Sequence, residues 1–501
     1  MSRLAWTLCL FALPALAGIA RGEDQPRPAD VQALQERVEQ AIERAEPSVV
    51  CILVSRSDDY AAFKAAPPDE GAGRLGRFDA GPWTRGDAIN DNSEDARLRR
   101  LAKSLDLSSP DVVPESFGSG VVLDESGLVL TNAHVVRDAK KIFVRLPGGK
   151  GSWADIHAAD PRSDLAVLKL IKPPPDLKPL KRGDGSKLKK GQFVILLANP
   201  FAAGFRDGSP SASWGIISNL HRRASGVTSE LEKLKPTLHH YGTLVQTDVR
   251  VALGCSGGAL LNLDGELIGL TTAQAALAGS EAPGGYAVPL DSQIKKIIDV
   301  LLRGEEVEYG FLGVQFSPTA RPGEGVKLLG VADGSPAKLA GLRGEDVITA
   351  INDAPVHDVD DLYLQIGIGL AGGTARLEVL TPGGRARTCT VTLAKSYTPG
   401  KSVASSRPPA RGGLRVDYAS ILSQKVGLQR IPPGVAIREV VAGSPADKER
   451  LQPDYVVTAV DDHPVTTPAE FYQAMKQADG PVKLTFRNLE GREDSVTIDP
   501  K

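Results

Sequence analysis

Cysteine, methionine and aromatic side chains are scarce in this 501-residue chain, with four Cys, two Met and 5% Phe, Trp and Tyr together. Cys9 lies in an apolar N-terminal stretch, which leaves Cys51, Cys255 and Cys389 widely spaced. A sparse, odd set is no disulfide framework, and without a CxxC or a Cys/His cluster nothing has the ligand spacing of structural zinc. No metal and no cofactor are therefore expected. An excess of one charge is also missing: 59 Lys and Arg face 61 Asp and Glu, a net of -2 at pH 7. That balance gives no reason to expect nucleic acid or an anionic membrane as partner. Beyond the N-terminal stretch, no apolar run reaches the roughly 20 residues that a bilayer span requires.

Glycine and proline are plentiful, at 52 and 36. With few aromatics, they suit several small β-rich domains, and the length gives a prior of about three domains. Arg3 followed by the apolar run Leu4 to Ala17 and the small residues Gly18, Ala20 and Gly22 reads as a signal peptide over 1–22,. The mature chain is then expected outside the cytoplasm, periplasmic or secreted, without a stable membrane span. Asp30 is placed as the cap of a helix whose face carries Val31, Leu34, Val38, Ile42 and Ala45,. A polar, Gly- and Pro-rich insertion over 55–115 follows, then short apolar runs separated by turns up to Val288, the pattern of a β-barrel or sandwich. Pro289 to Leu302 reads as a helix.

The C-terminal part repeats itself. Gly334-Ser335-Pro336-Ala337, Leu342, Val347 to Ile351 and Asp353 to Val356 align without gaps on Gly443-Ser444-Pro445-Ala446, Leu451, Val456 to Val460 and Asp462 to Val465. Helix-like stretches, Asp358–Ile366 and Pro468–Gln477, occupy corresponding places. Spacing on this scale means tandem domains rather than a solenoid. The expected division is 30–302, 306–395 and 411–499, with 396–410 as a flexible linker rich in Ser, Pro and basic residues.

Three local signals carry chemistry, in the order His, Asp, Ser. His134 ends the apolar run of Leu130-Thr131-Asn132-Ala133. Asp164 precedes Leu165 to Leu168, and Ser256 sits in Gly254-Cys255-Ser256-Gly257-Gly258. A serine hydroxyl becomes a nucleophile when an imidazole takes its proton, and a carboxylate fixes the imidazole's tautomer. Glycines around Ser256 let the N–H groups of Gly254 and Ser256 turn toward a developing oxyanion. An α/β-hydrolase, to which the Gly-Xaa-Ser-Xaa-Gly string also fits, needs Asp and then His after the serine. Only His357 and His463 follow, both inside the repeats. His239 and His240, as neighbours on a strand, are expected to face opposite ways. Cys255 as nucleophile is one position out of register.

With Gly118-Ser119-Gly120, Asn199-Pro200-Phe201, Gly215 to Ser218, Gln246-Thr247-Asp248 and Tyr286 to Pro289, these segments resemble the HtrA/Deg family of serine endopeptidases. The resemblance implies a mainly β chain: a trypsin-like double β-barrel protease domain followed by two PDZ (α+β) domains. It implies a His134–Asp164–Ser256 triad, an oxyanion hole at Gly254 and Ser256, and an S1 pocket with Val251 and Thr271. It further implies that Phe311, Leu312, Gly313 and Val314 form a peptide-binding loop and strand. The implied substrates are unfolded or misfolded polypeptides, with peptide C-termini as PDZ ligands, in a homo-trimer or a multiple of trimers. The other reading is a catalytically silent PDZ scaffold or chaperone on a protease fold. The chain departs from the family's pattern at Cys255, where Asn is common, and at Ala252-Leu253, Ala198 and Ala202. Arg250 stands where enzymes that cut after Lys or Arg carry an acid, so cleavage after small or medium aliphatic residues is expected.

Overall fold

In the computed structural model, residues 28–58, 105–223, 237–272, 284–316, 325–398, 403–426 and 430–500 are described. The expected signal peptide and most of the 55–115 insertion lie outside them.

Twelve strands build two barrels. The first is β1 (Val49–Ser55), β2 (Ser116–Val122), β3 (Leu128–Asn132), β4 (Lys141–Arg145), β5 (Gly151–Asp160) and β6 (Leu165–Leu170), closed by β5 pairing with both β4 and β6. The second is β7 (Phe193–Ala198), β8 (Ser211–Arg222), β9 (Leu244–Thr247), β10 (Ala259–Leu261), β11 (Leu267–Thr272) and β12 (Gly285–Pro289), closed by β10 on β7. Period-two alternation sets what each barrel contains. From β1, Val50, Ile52 and Val54 enter the first interior beside Val129, Val144 and Leu168, while Val49 turns to the seam shared with the second barrel. That seam holds Leu130, Leu165, Ile195, Leu197 and Leu270, and the helix Ser292–Leu302 lays Ile294, Ile297, Ile298 and Leu301 on it. Asp291 caps this helix by accepting the N–H groups of Gln293 and Ile294, so it starts after Pro289 rather than at it,. The first helix runs Pro28–Ala45; Asp30 therefore lies in its first turn, and Val31 is exposed.

The two repeats have the same plan. The first has β13 (Gly310–Phe311), β14 (Val314–Phe316), β15 (Val326–Val331), β16 (Val347–Ile351), β17 (Ala354–Pro355), β18 (Thr374–Leu380), β19 (Ala386–Thr392) and β20 (Ala394–Lys395). After β21 (Val403–Ala404), the second has β22 (Leu414–Tyr418), β23 (Val435–Val440), β24 (Val456–Val460), β25 (His463–Pro464), β26 (Val482–Arg487) and β27 (Glu493–Ile498). The orders β14-β15-β16-β18-β19 and β22-β23-β24-β26-β27 correspond, and β17 and β25 each pair with the middle strand. The Gly-Ser-Pro-Ala motif explains itself here. Ser335 and Ser444 cap short helices, and Ala337 and Ala446 donate their N–H groups to Leu312 and Gly412. A Cβ on Gly313 (φ 80°) or Gly413 (φ 86°) would strike those serines.

The segment between the repeats is less free than its composition suggests. Val403 and Ala404 pair with Ala159 and Ala158, adding β21 to the first barrel. Ser405 continues the contact through its N–H to the His157 carbonyl.

A buried charge cluster joins the repeats. Lys395 Nζ lies 3.2 Å from Glu306, 3.0 Å from Glu308 and 2.8 Å from Asp417, and Arg438 reaches both Glu306 and Asp417. The Lys395 and Asp417 side chains are 6% and 4% exposed. Burial alone would lower the Lys395 pKa, but Asp417, Glu308 and Glu306 outweigh it and raise it. Lys395→Met removes the cation and leaves buried Asp417 with the Arg438 guanidinium and the Tyr418 N–H. The expected loss is on the order of 3 kcal/mol, measured as a lower calorimetric midpoint for the transition of the C-terminal repeats.

Candidate active site

The pairing of β3 with β6 sets Asn132 against Leu165, so the residues just past those strand ends, His134 and Asp164, come face to face. Asp164 adopts φ 56°, unusual for a side chain with a Cβ, on the four-residue hairpin loop between Asp160 and Leu165,. Its main-chain oxygen accepts the Ala133 N–H and the Asn132 side-chain amide. Asp164 Oδ1 takes the His134 backbone N–H at 3.0 Å, and Oδ2 lies 2.7 Å from His134 Nδ1. His134 Nε2 is 2.9 Å from Ser256 Oγ. An ionised carboxylate only accepts, so Nδ1 bears the proton and Nε2 is left to accept from the serine. Asp164 is 1% exposed. Burial pushes its carboxyl up, and the charge and hydrogen bond of His134, with a further contribution from His239, hold it well below the usual carboxylate range,.

Ser256 comes from the other barrel, on the turn before β10. Ser119 of β2 ties that turn down. Its N–H donates to Ser256 O at 2.8 Å, its hydroxyl donates to Gly254 O at 2.8 Å, and the same hydroxyl accepts the Asn199 N–H at 2.8 Å. Gly254 has φ 93°, and a Cβ there would stand 2.5 Å from Asn199 O, which leaves glycine as the residue that fits,. Ala202, at a position where the resemblance leads one to expect glycine, adopts φ 56°, a left-handed conformation costing an alanine roughly 1–2 kcal/mol,.

The expected S1 residues are placed differently from one another. Val251 is half-buried, with its side chain against Gly285. Thr271 is fully buried, and its hydroxyl donates to Cys255 O at 2.6 Å, backing the turn that carries Ser256. Arg250 is exposed. Burial raises the thiol pKa of Cys255 and pushes that of Cys51 up to about 12, so neither favours a thiolate,.

His239 was not legible as part of this site. It lies on a 3-10 turn, Leu238–Tyr241, rather than on a strand. Its Nε2 is 3.7 Å from Asp164 Oδ2, too long for a hydrogen bond, and neither ring nitrogen has a hydrogen-bond partner among the described residues,. No group of His, Cys, Asp and Glu able to hold a metal occurs among the described residues.

In the first repeat, Phe311 to Val314 lead into β14, an edge strand, and Phe316 of β14 stacks edge-on against Tyr363 of the helix Val359–Ile368. In the second, the hydroxyl of Tyr472 accepts the Val416 N–H of edge strand β22 at 3.2 Å. Arg415 of that strand pairs with Glu439 at 2.9 Å.

A profile of the trypsin-like peptidase domain matches residues 118–270, and one of the PDZ domain matches 310–393. The chain is 32% identical over 389 residues to the periplasmic pH-dependent serine endoprotease DegQ of Escherichia coli (strain K12), covering 76% of this chain and 79% of that protein. It is 31% identical over 373 residues to a probable periplasmic serine endoprotease DegP-like of Chlamydia muridarum (strain MoPn / Nigg), covering 72% and 70%. Among solved structures it matches the HtrA-type protease AlgW with tripeptide at 23% identity and a TM-score of 0.48, over 73% of this chain and 99% of that one. Two closed barrels, the PDZ sheets and relatives of this extent agree on one conclusion: the chain belongs to the HtrA/Deg family of serine endopeptidases.

Proposed function

We propose that this serine endopeptidase cleaves unfolded or misfolded polypeptides in the periplasm, with Ser256 as nucleophile, His134 as general base and Asp164 as its partner. The carrying observation is the unbroken contact from Asp164 through His134 to Ser256, 2.7 and 2.9 Å long. Ser256 Oγ attacks the scissile carbonyl while His134 Nε2 takes its proton, and Asp164 stabilises the imidazolium that forms. The N–H groups of Gly254 and Ser256 are the proposed donors to the tetrahedral oxyanion. His134 then returns the proton to the leaving amine, and water hydrolyses the acyl-enzyme by the same route. The names of the relatives support the periplasm as the compartment. The strand sets support a division at 30–302, 306–395 and 411–499, and assembly into trimers or their multiples remains part of the proposal.

A peptide C-terminus adds as a strand along β14, its carboxylate held by the backbone of Phe311 to Val314. The first repeat is favoured because the corresponding edge in the second already has its Val416 N–H taken by Tyr472. The S1 side is proposed at Val251, with Thr271 behind the turn.

Casein hydrolysis tests the enzyme reading against a silent scaffold. Ser256→Ala is expected to lower kcat on the order of 10⁶-fold; equal rates in both proteins overturn the triad. A peptide library is expected to show cleavage after Val, Ala and other small aliphatic residues, and a preference for Lys or Arg at P1 rejects the proposed S1 site. The raised thiols predict that iodoacetamide at neutral pH leaves activity intact while a fluorophosphonate abolishes it. The reverse pattern makes Cys255 the nucleophile.

A further inference from the structure

The loop that presents Asp164 is held from outside both barrels. Asp160, the last residue of β5, folds its carboxylate back over the loop: Oδ2 accepts the Ser163 N–H at 2.8 Å, and Oδ1 approaches the Arg162 N–H at 3.4 Å. The same Oδ2 accepts the hydroxyl of Tyr309, a residue 149 positions away, which stands just before β13. Tyr309 is completely buried, and Asp160 is 4% exposed. The Arg162 guanidinium lies 4.4 Å over the Tyr309 ring. The Arg162 carbonyl meanwhile accepts the Leu238 N–H at 2.8 Å, from the turn that carries His239. Tyr309 is itself fixed, since its carbonyl accepts the Ser396 N–H at 2.7 Å at the base of the first repeat.

These contacts have a direct bearing on catalysis. Asp164 does not choose its own position: its left-handed φ is imposed by the loop, and the loop is shaped by what Asp160 accepts. A carboxylate this deeply buried requires donors. If the Tyr309 hydroxyl is removed, Asp160 loses a donor in a site with almost no water to replace it. It then either takes up a proton or swings outward, and in both cases its grip on the Ser163 N–H weakens. Ser163 is the immediate neighbour of Asp164. A shift of about 1 Å in a catalytic partner is enough for roughly a 10²-fold loss in rate.

We propose that Tyr309, acting through Asp160 and the Ser163 N–H, is a positioning residue that sets Asp164 against His134, so that a tyrosine at the root of the first PDZ repeat tunes the triad. The proposal rests on the triad reading above. It differs from a simple packing role because the ring and the hydroxyl do separate things: the ring stacks under Arg162, and the hydroxyl holds Asp160.

The test is Tyr309→Phe in the full chain, with Asp160→Asn as the second variant and Asp164→Ala as the reference for a lost triad aspartate. Phenylalanine keeps the ring and the Arg162 contact. The expected result is a 10- to 100-fold lower kcat on a peptide substrate, in line with the displacement argument, with KM within twofold of wild type. Asp164 touches no substrate, so its misplacement belongs in kcat. The second-order rate of fluorophosphonate labelling at Ser256 should fall in parallel. In selectively ¹⁵N-histidine-labelled protein, the His134 Nδ1–H proton resonance should shift or broaden in Tyr309→Phe and Asp160→Asn alike. A structural role alone would lower the melting midpoint and leave the kcat and the resonance of the folded fraction as in wild type; that outcome overturns the inference. If Tyr309→Phe does not fold, Asp160→Asn decides by the same three measurements. Full activity in Asp164→Ala would instead overturn the triad reading, which keeps the two failures distinct.

Discussion

An ionised carboxylate with almost no access to water is the constraint on which this site is built. Asp164 is 1% exposed, and an unpaired charge at that depth would neutralise rather than persist,. Every neighbouring feature answers to it. His134 presents both its backbone N–H and its ring N–H, one to each carboxylate oxygen. His239 closes the third side at 3.7 Å. The net effect is a group kept ionised far into the acid range. Because its folded-state pKa is lowered, its contribution to stability is present above the ordinary carboxylate value and is lost only as pH falls toward the lowered one,.

The second requirement is that two barrels agree on one geometry. His134 and Asp164 belong to the first, and Ser256 to the second. Hydrophobic contact across the seam brings the barrels together but is not directional. Direction comes from Ser119, whose N–H and hydroxyl meet the Ser256 and Gly254 carbonyls on one side and the Asn199 N–H on the other. The Ser256 turn is thus referenced to β2, the neighbour of the strand that leads to His134.

Much of this was legible from residues close in sequence. The His134, Asp164 and Ser256 segments each carry a local signature, and Gly-Ser-Pro-Ala announced both repeats because a cap, a proline and a close backbone approach all need those types in that order. Legibility failed where a role depends on distant chain. Tyr309 reads as one more residue ahead of a strand until Asp160 is seen beside it. His239 was misjudged because neighbours on a strand diverge, whereas the turn at Leu238–Tyr241 directs its ring into the core. The linker looked unstructured on composition, which cannot register that β5 offers it an open edge.

That last contact has a geometric consequence. With β21 seated on the first barrel, six residues separate Ala404 from Arg411, and the seven steps between them span at most about 25 Å when fully extended,. The second repeat is therefore moored to the protease barrel at a point the first repeat does not control. Were the Lys395–Asp417 cluster to open, it could travel only within that leash unless β21 unzips, so its radius of search would be set by the β21 pairing and the Ser405 N–H bond rather than by the whole length of the preceding domain.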